Sequence, residues 1–97
     1  MQISTMFATA ILALGIAAGK YKYCGCTIKG KPDSTLSYTC CINYSESHPH
    51  AEWVETKIAC SDYQKSDAMI SEDWEQLCKK TIVEGDPNTV HAHCFNN

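Results

Sequence analysis

Seven cysteines carry most of the chemistry this chain can offer: Cys24, Cys26, Cys40, Cys41, Cys60, Cys78 and Cys94, spaced C-x-C-x13-CC-x18-C-x17-C-x15-C. In a chain this short the set reads as a disulfide framework in which six of the seven pair. Adjacent Cys40 and Cys41 cannot easily pair with each other, and on a helix they point about 100 degrees apart, so they should reach different partners. One cysteine is left over, either buried and inert or available to bridge two chains as a disulfide-linked dimer. Three bridges at about 2–4 kcal/mol each would be comparable with the whole net stability of so small a domain. Spacing alone does not say which cysteines pair.

The four histidines fall in two H-x-H pairs, His48-Pro49-His50 and His91-Ala92-His93. On a strand, positions i and i+2 project the same way, so His91 and His93 could share a Zn or Cu ion, with the loop pair completing four ligands if the fold brings it near. The spacing matches no known zinc site, however. The simpler reading is solvated surface, and no metal is assigned; clustered histidines could also make that surface sensitive to mildly acidic pH.

Enzyme signatures are missing: there is no G-x-S-x-G, H-E-x-x-H or P-loop. The CC doublet occurs in secreted phospholipases, but their His-Asp pair and glycine-rich calcium loop do not occur here. A small ribonuclease would need His and Glu beside a cation, and His91 or His93 with Glu55 is conceivable. All eight basic residues are Lys, though, which removes the guanidinium fork suited to phosphate. With 11 acidic residues the net charge is -3, which offers no electrostatic footprint for nucleic acid or an anionic membrane. The chain is therefore read as a non-enzyme without a cofactor.

Residues 6–18 are mostly small and apolar and end at Lys20, the first charge of the chain. A run of about 13 residues is too short to span the roughly 30 Å of a bilayer core. It has the length of a signal-peptide core, with Ala17, Ala18 and Gly19 supplying a cleavage site, although no Lys or Arg precedes it. The chain divides on this reading into a signal peptide, 1–19, and a cysteine-rich secreted domain, 20–97. The domain lies near the roughly 70–80 residues at which a core alone becomes dependable. Secretion to the extracellular space would supply the oxidising path that disulfides need. On that path Asn43-Tyr44-Ser45 is a glycosylation sequon, with Asn43 as the acceptor.

Five elements must position these residues. Residues 20–29 alternate, with Lys22, Cys24, Cys26 and Ile28 on one face and Tyr21, Tyr23, Gly25 and Thr27 on the other, which predicts a strand. Asp33 is placed to cap a helix from residue 34, in which Leu36, Cys40 and Tyr44 recur at helical spacing. Residues 45–50 read as a loop. Residues 51–60 alternate again, with Val54, Thr56, Ile58 and Cys60 opposite Trp53, Glu55, Lys57 and Ala59. Residues 71–82 carry the clearest helical stripe, Ile70, Trp74, Leu77, Cys78 and Ile82, with Ser71 as a cap, acids in the first turn and Lys79 and Lys80 near the last. Residues 89–95 place Val90, Ala92 and Cys94 opposite His91, His93 and Phe95, and 61–69 could add an edge strand.

Strand, helix, strand, helix, strand predicts an α+β fold: a small two-layer sandwich with an antiparallel or mixed sheet of three to four strands, two helices on one face, and disulfide staples. In all three strands the cysteines share a face with aliphatic residues, so they can point together at the helices. The opposite face then collects Tyr21, Tyr23, Trp53, His91, His93 and Phe95. Grouped aromatics of this kind favour a binding surface.

The early Cys24-Gly25-Cys26 and the Cys40-Cys41 doublet resemble the layout of small secreted cysteine-rich fungal proteins, many regarded as candidate effectors. Some of these are similar to the killer-toxin type of α/β sandwich, where eight cysteines are commoner than the seven found here. The resemblance implies secretion, virulence-type action on a host or competitor molecule, and no catalytic residue. The expected function is an effector-like binding protein with an extracellular or host protein as partner, without nucleic acid and without stable membrane insertion. A killer-type toxin is the alternative, and a small secreted hydrolase a more distant one.

Overall fold

The computed structural model describes residues 19–62 and 69–97. The expected signal peptide, save Gly19, and the middle of the expected edge strand 61–69 lie outside the described residues. The elements are β1 (Lys20–Tyr21), β2 (Tyr23–Ile28), β3 (Lys31–Pro32), α1 (Ser34–Ser45), β4 (Ala51–Val54), β5 (Ala59–Asp62), β6 (Met69–Ile70), α2 (Ser71–Thr81) and β7 (Val90–Phe95). Two helices pack on antiparallel sheets, as the alternation predicts.

The long central strand β2 organises everything else. Along one edge it pairs with β7 over its full length, from Tyr23 opposite Phe95 to Ile28 opposite Val90. Its other edge is shared: β5 takes Tyr23 and Cys24, and β3, returning through a turn at Lys29 and Gly30, takes Thr27 and Ile28. Between these partners the Cys26 carbonyl accepts from the Asp33 N–H at 3.0 Å, but the Cys26 N–H would be left unpaired. Ser37 of α1 fills the gap, its hydroxyl accepting from the Cys26 N–H at 2.7 Å and donating to the Cys26 carbonyl at 3.2 Å. A buried serine on a helix thus completes a strand ladder, satisfying a main-chain N–H that burial would otherwise penalise. Gly25 is required beside it, because a Cβ there would come within 2.7 Å of the Ile58 carbonyl oxygen.

Asp33 caps α1 as expected, its carboxylate accepting from the Leu36 N–H at 2.8 Å. At α2 the expectation for Ser71 fails. Ile70, which has no side-chain oxygen, occupies the cap position, and the Ser71 hydroxyl accepts from the Gly19 N–H at 3.3 Å. The start of the described chain is thereby tied to α2, next to the short β1–β6 ladder. The core is continuous between helices and sheet: Leu36, Cys40, Cys41, Met69, Trp74, Cys78 and Val90 pack with Cys24, Cys26 and Cys60.

Two expected strands are broken. The first bends at Lys22, whose N–H is taken by the Asn96 side chain, so β1 pairs with β6 and not with the main sheet. The expected strand 51–60 is a hairpin: β4 and β5 pair with each other, from Ala51 opposite Asp62 to Val54 opposite Ala59. The link is a single 3-10 turn, Glu55–Lys57, followed by Ile58 in the left-handed region at φ 52. A β-branched residue seldom adopts that conformation, so no turn signal marked the reversal.

Strand β7 has a neighbour on only one side among the described residues, and α2 blunts its other edge. The Glu75 carboxylate accepts from the Ala92 N–H at 2.7 Å, and the Lys79 ammonium donates to the Val90 carbonyl at 2.8 Å. Glu75 and Lys79 lie one turn apart and also pair with each other at 3.4 Å. Burial raises the Glu75 pKa, but the Ala92 N–H, His91 and Lys79 together outweigh it, and the carboxyl sits below its ordinary value. A depressed folded-state pKa contributes stability above the unfolded carboxyl pKa and loses it as pH falls through the folded value, so this edge weakens in acid. Glu75→Ala should cost about 1–2 kcal/mol in urea unfolding of the oxidised protein, and Glu75→Gln, whose amide oxygen still accepts from Ala92, about half of that. Equal losses would contradict the role of the accepting oxygen.

Candidate functional site

Three concentric disulfides hold the sheet to the helices. Cys24–Cys94, with a sequence separation of 70, encloses Cys26–Cys78, and that bridge encloses Cys41–Cys60. The outer bridge links directly opposite residues of β2 and β7, the middle one joins β2 to α2, and the inner one joins α1 to β5. Cys40 is the unpaired cysteine, and its thiol is buried in the core, which leaves it out of reach of a second chain. The vicinal pair diverges as helical geometry requires: Cys41 turns to the sheet and Cys40 to the gap between the helices.

Because Cys24 and Cys94 stand opposite each other, the residues beside them stand opposite as well, on the other face of the β2–β7 ribbon. Tyr23 and Phe95 stack with centroids 5.3 Å apart and planes at 24°. His93, two residues along the strand, tilts onto Phe95 at 5.0 Å. Lys57, from the hairpin turn, places its ammonium 5.4 Å from the Tyr23 ring and donates to the Asn97 main-chain oxygen at 2.9 Å. The result is a short platform of three rings with one cation at its margin. The Tyr23 and Phe95 rings are half-buried and His93 is exposed. Stacked rings and a partly desolvated cation each contribute about 0.5–1.5 kcal/mol beyond area burial, enough to hold the platform in one arrangement.

The other expected members of this face are placed elsewhere. Trp53 stands opposite Cys60, so it shares the cysteine face, where it meets Tyr38 of α1 edge-on at 5.4 Å and donates from Nε1 to Glu55 at 2.7 Å. The hairpin at Ile58 reset the strand parity, and with it the side to which Trp53 points. Tyr21 lies on β1 beyond the bend at Lys22 and packs against the core. His91 keeps its predicted face but turns to α2, its Nδ1 2.8 Å from the Glu75 carboxylate.

The H-x-H pairs are dispersed: His48 stacks flat on Tyr44 at 3.9 Å, while His91 and His93 have the separate partners just described. Among the described residues, the three-sulfur group Cys26, Cys40 and Cys78 is the one set close enough to hold a metal ion, and two of its sulfurs are bonded to each other. Asn43 is exposed on the last turns of α1, at the rim of an open groove of about 1060 Å³ between the helices. Tyr44, Asp73 and Lys80 also line that groove. Burial, then the charges of Asp62 and Asp73, raise the Tyr44 phenol pKa and keep it protonated. Lys57 is the member of the ring platform that sequence patterning missed, since its approach depends on the unsignalled hairpin.

No helix among the described residues is long and apolar enough to cross a membrane. No protein-family model matches this chain, and neither does any curated protein or solved structure.

Proposed function

We propose that this chain is a secreted, non-enzymatic binding protein of the effector type, which engages an extracellular or host protein through the Tyr23, His93 and Phe95 platform with Lys57 at its margin. The observation that carries the reading is the pairing of that platform with the Cys24–Cys94 bridge on the opposite face of the same two strands. A covalently fixed ribbon presents its rings already ordered, so binding loses little conformational freedom. Aromatic anchors at the centre of a contact typically dominate its energy. The flanking ammonium suits a partner surface with an acidic group beside an apolar patch.

Tyr23→Ala with Phe95→Ala should leave the far-ultraviolet circular dichroism and the three bridges intact while raising the Kd for a captured partner at least about tenfold, equivalent to about 1.4 kcal/mol. The partner would be isolated from extracellular fluid on the oxidised wild-type protein. An unchanged Kd for the double variant would overturn the proposed face. One observation favours a second reading, a killer-type action on cells: α1 carries no charged residue and exposes Tyr38 and Ile42. Release of dye from vesicles by the wild type, abolished by Ile42→Lys, would support that alternative.

A further inference from the structure

Cys40 is not isolated in the core. Its sulfur lies 3.4 Å from Sγ of Cys26, and Cys26, Cys40 and Cys78 hold their three sulfurs within 4.8 Å of one another, all in fully buried residues. A free thiol thus abuts a disulfide at van der Waals distance, on the seam where β2, α1 and α2 meet. Moving from 3.4 Å to a bond of about 2.05 Å asks the Cys40 and Cys26 side chains to approach by a little over an ångström. Cys26 is bonded to Cys78 of α2 and touches Cys40 of α1, and the Cys40 side chain must swing into line with the Cys26–Cys78 bond before it can attack. None of the other cysteine sulfurs belongs to this group.

We propose that the middle bridge is exchangeable, so that Cys26 pairs alternately with Cys78 and with Cys40, and β2 is tethered in turn to α2 and to α1. The step balances without an external oxidant or reductant. Cys40 gives its proton to solvent base, and its thiolate attacks Sγ of Cys26. The S26–S40 bond forms as S26–S78 breaks, the electron pair leaves on Sγ of Cys78, and that thiolate takes up a proton. Three bridges and one thiol remain in either isomer. Burial pushes the Cys40 thiol pKa up, and a hydrogen bond with the Thr81 side chain only partly offsets this. The reactive thiolate is therefore scarce, and exchange is slow on the scale of folding motions. In the second isomer α2 keeps its packing through Trp74 and its grip on β7 through Glu75 and Lys79 but loses its covalent tie to the sheet. The seventh cysteine then acts as a built-in exchange partner for the one bridge that holds α2.

Two experiments test this. The Cys78→Ser variant, refolded in a glutathione redox buffer, should form Cys26–Cys40, so that alkylatable thiols in the denatured protein fall from one per wild-type chain to none. Two free thiols at Cys26 and Cys40 in a folded Cys78→Ser protein would overturn the proposal. Should that variant fail to fold, wild-type protein held at pH 8.5, quenched in acid, labelled with a maleimide and mapped by mass spectrometry decides the matter. Label on Cys78 together with a Cys26–Cys40 linked peptide is the expected result, absent from a Cys40→Ser control. Label on Cys40 alone after prolonged incubation would refute exchange.

Discussion

Trp74→Ala is expected to lower the stability of the oxidised protein by about 3–5 kcal/mol, the usual consequence of emptying a large aromatic site in a core. Trp74 is fully buried on α2, against Tyr44 of α1 at 5.3 Å, and it is the largest side chain shut off from solvent. A loss of that size approaches the whole net stability of a domain this small, so the variant should be largely unfolded at 37 °C even with its bridges intact. Trp74→Phe makes the instructive contrast. The indole N–H is buried and finds no acceptor among the described residues, a desolvated donor worth about 1–3 kcal/mol to remove. Phenylalanine gives up packing area but relieves that penalty, and its cost should fall below about 1.5 kcal/mol. Urea unfolding of the three proteins measures both numbers; a Trp74→Phe loss as large as that of alanine would mean that the N–H is satisfied after all.

The second large effect is expected at the inner bridge. Cys41 and Cys60 tie α1 to β5 with a sequence separation of 19, and both sulfurs lie in the core. Replacing both by alanine should cost about 3 kcal/mol from the loop-closure entropy that the bridge removes from the unfolded chain. For a domain of this size that corresponds to a fall in Tm of roughly 12–24 °C. Cys40 cannot compensate, because it faces the gap between the helices and not β5. The loss should therefore persist in the double variant whichever partner Cys26 takes, which separates a structural bridge from an exchangeable one. A fall of under about 5 °C would show that packing of Leu36 and Ser37 holds α1 on the sheet without covalent help.

Where a physical rule acts over a short stretch, sequence patterning read the fold well. Alternation in β2 and β7 put Cys24, Cys26 and Cys94 on one face and Tyr23, His93 and Phe95 on the other, because side chains of an unbroken extended strand project alternately to its two faces. The α2 stripe was legible for the equivalent reason at helical period: Trp74 and Cys78 are fully buried and Leu77 and Ile82 pack beside them. What escaped depended on long-range contacts or on strained backbone. Seven cysteines admit many pairings, and concentric connectivity emerges only once β2 and β7 lie side by side. The reversal at Ile58 has no Gly, Asn or Pro to announce it, and by resetting parity it carried Trp53 to the helix side. The hydroxyl of Ser37, 11 residues from the strand gap it fills, looked like an ordinary polar residue of a weak helix. Patterning placed Glu75 in the first turn of α2 and Lys79 near the last as complements of the helix dipole, whereas both groups serve the main chain of β7.

The proposed binding face and the scaffold rest on one register, in which Cys24 stands opposite Cys94 and Tyr23 therefore opposite Phe95. Disulfide mapping of the natively oxidised protein, by proteolysis in acid and mass spectrometry of the linked peptides, tests that register most directly. The expected map has Cys24–Cys94 and Cys41–Cys60 in every molecule, Cys26 bridged within the chain to Cys78 or Cys40, and no linkage between chains. Cys24 found bonded to Cys60 or Cys41, or Cys94 found bonded to any residue but Cys24, would break the β2–β7 register and remove the ring platform with it.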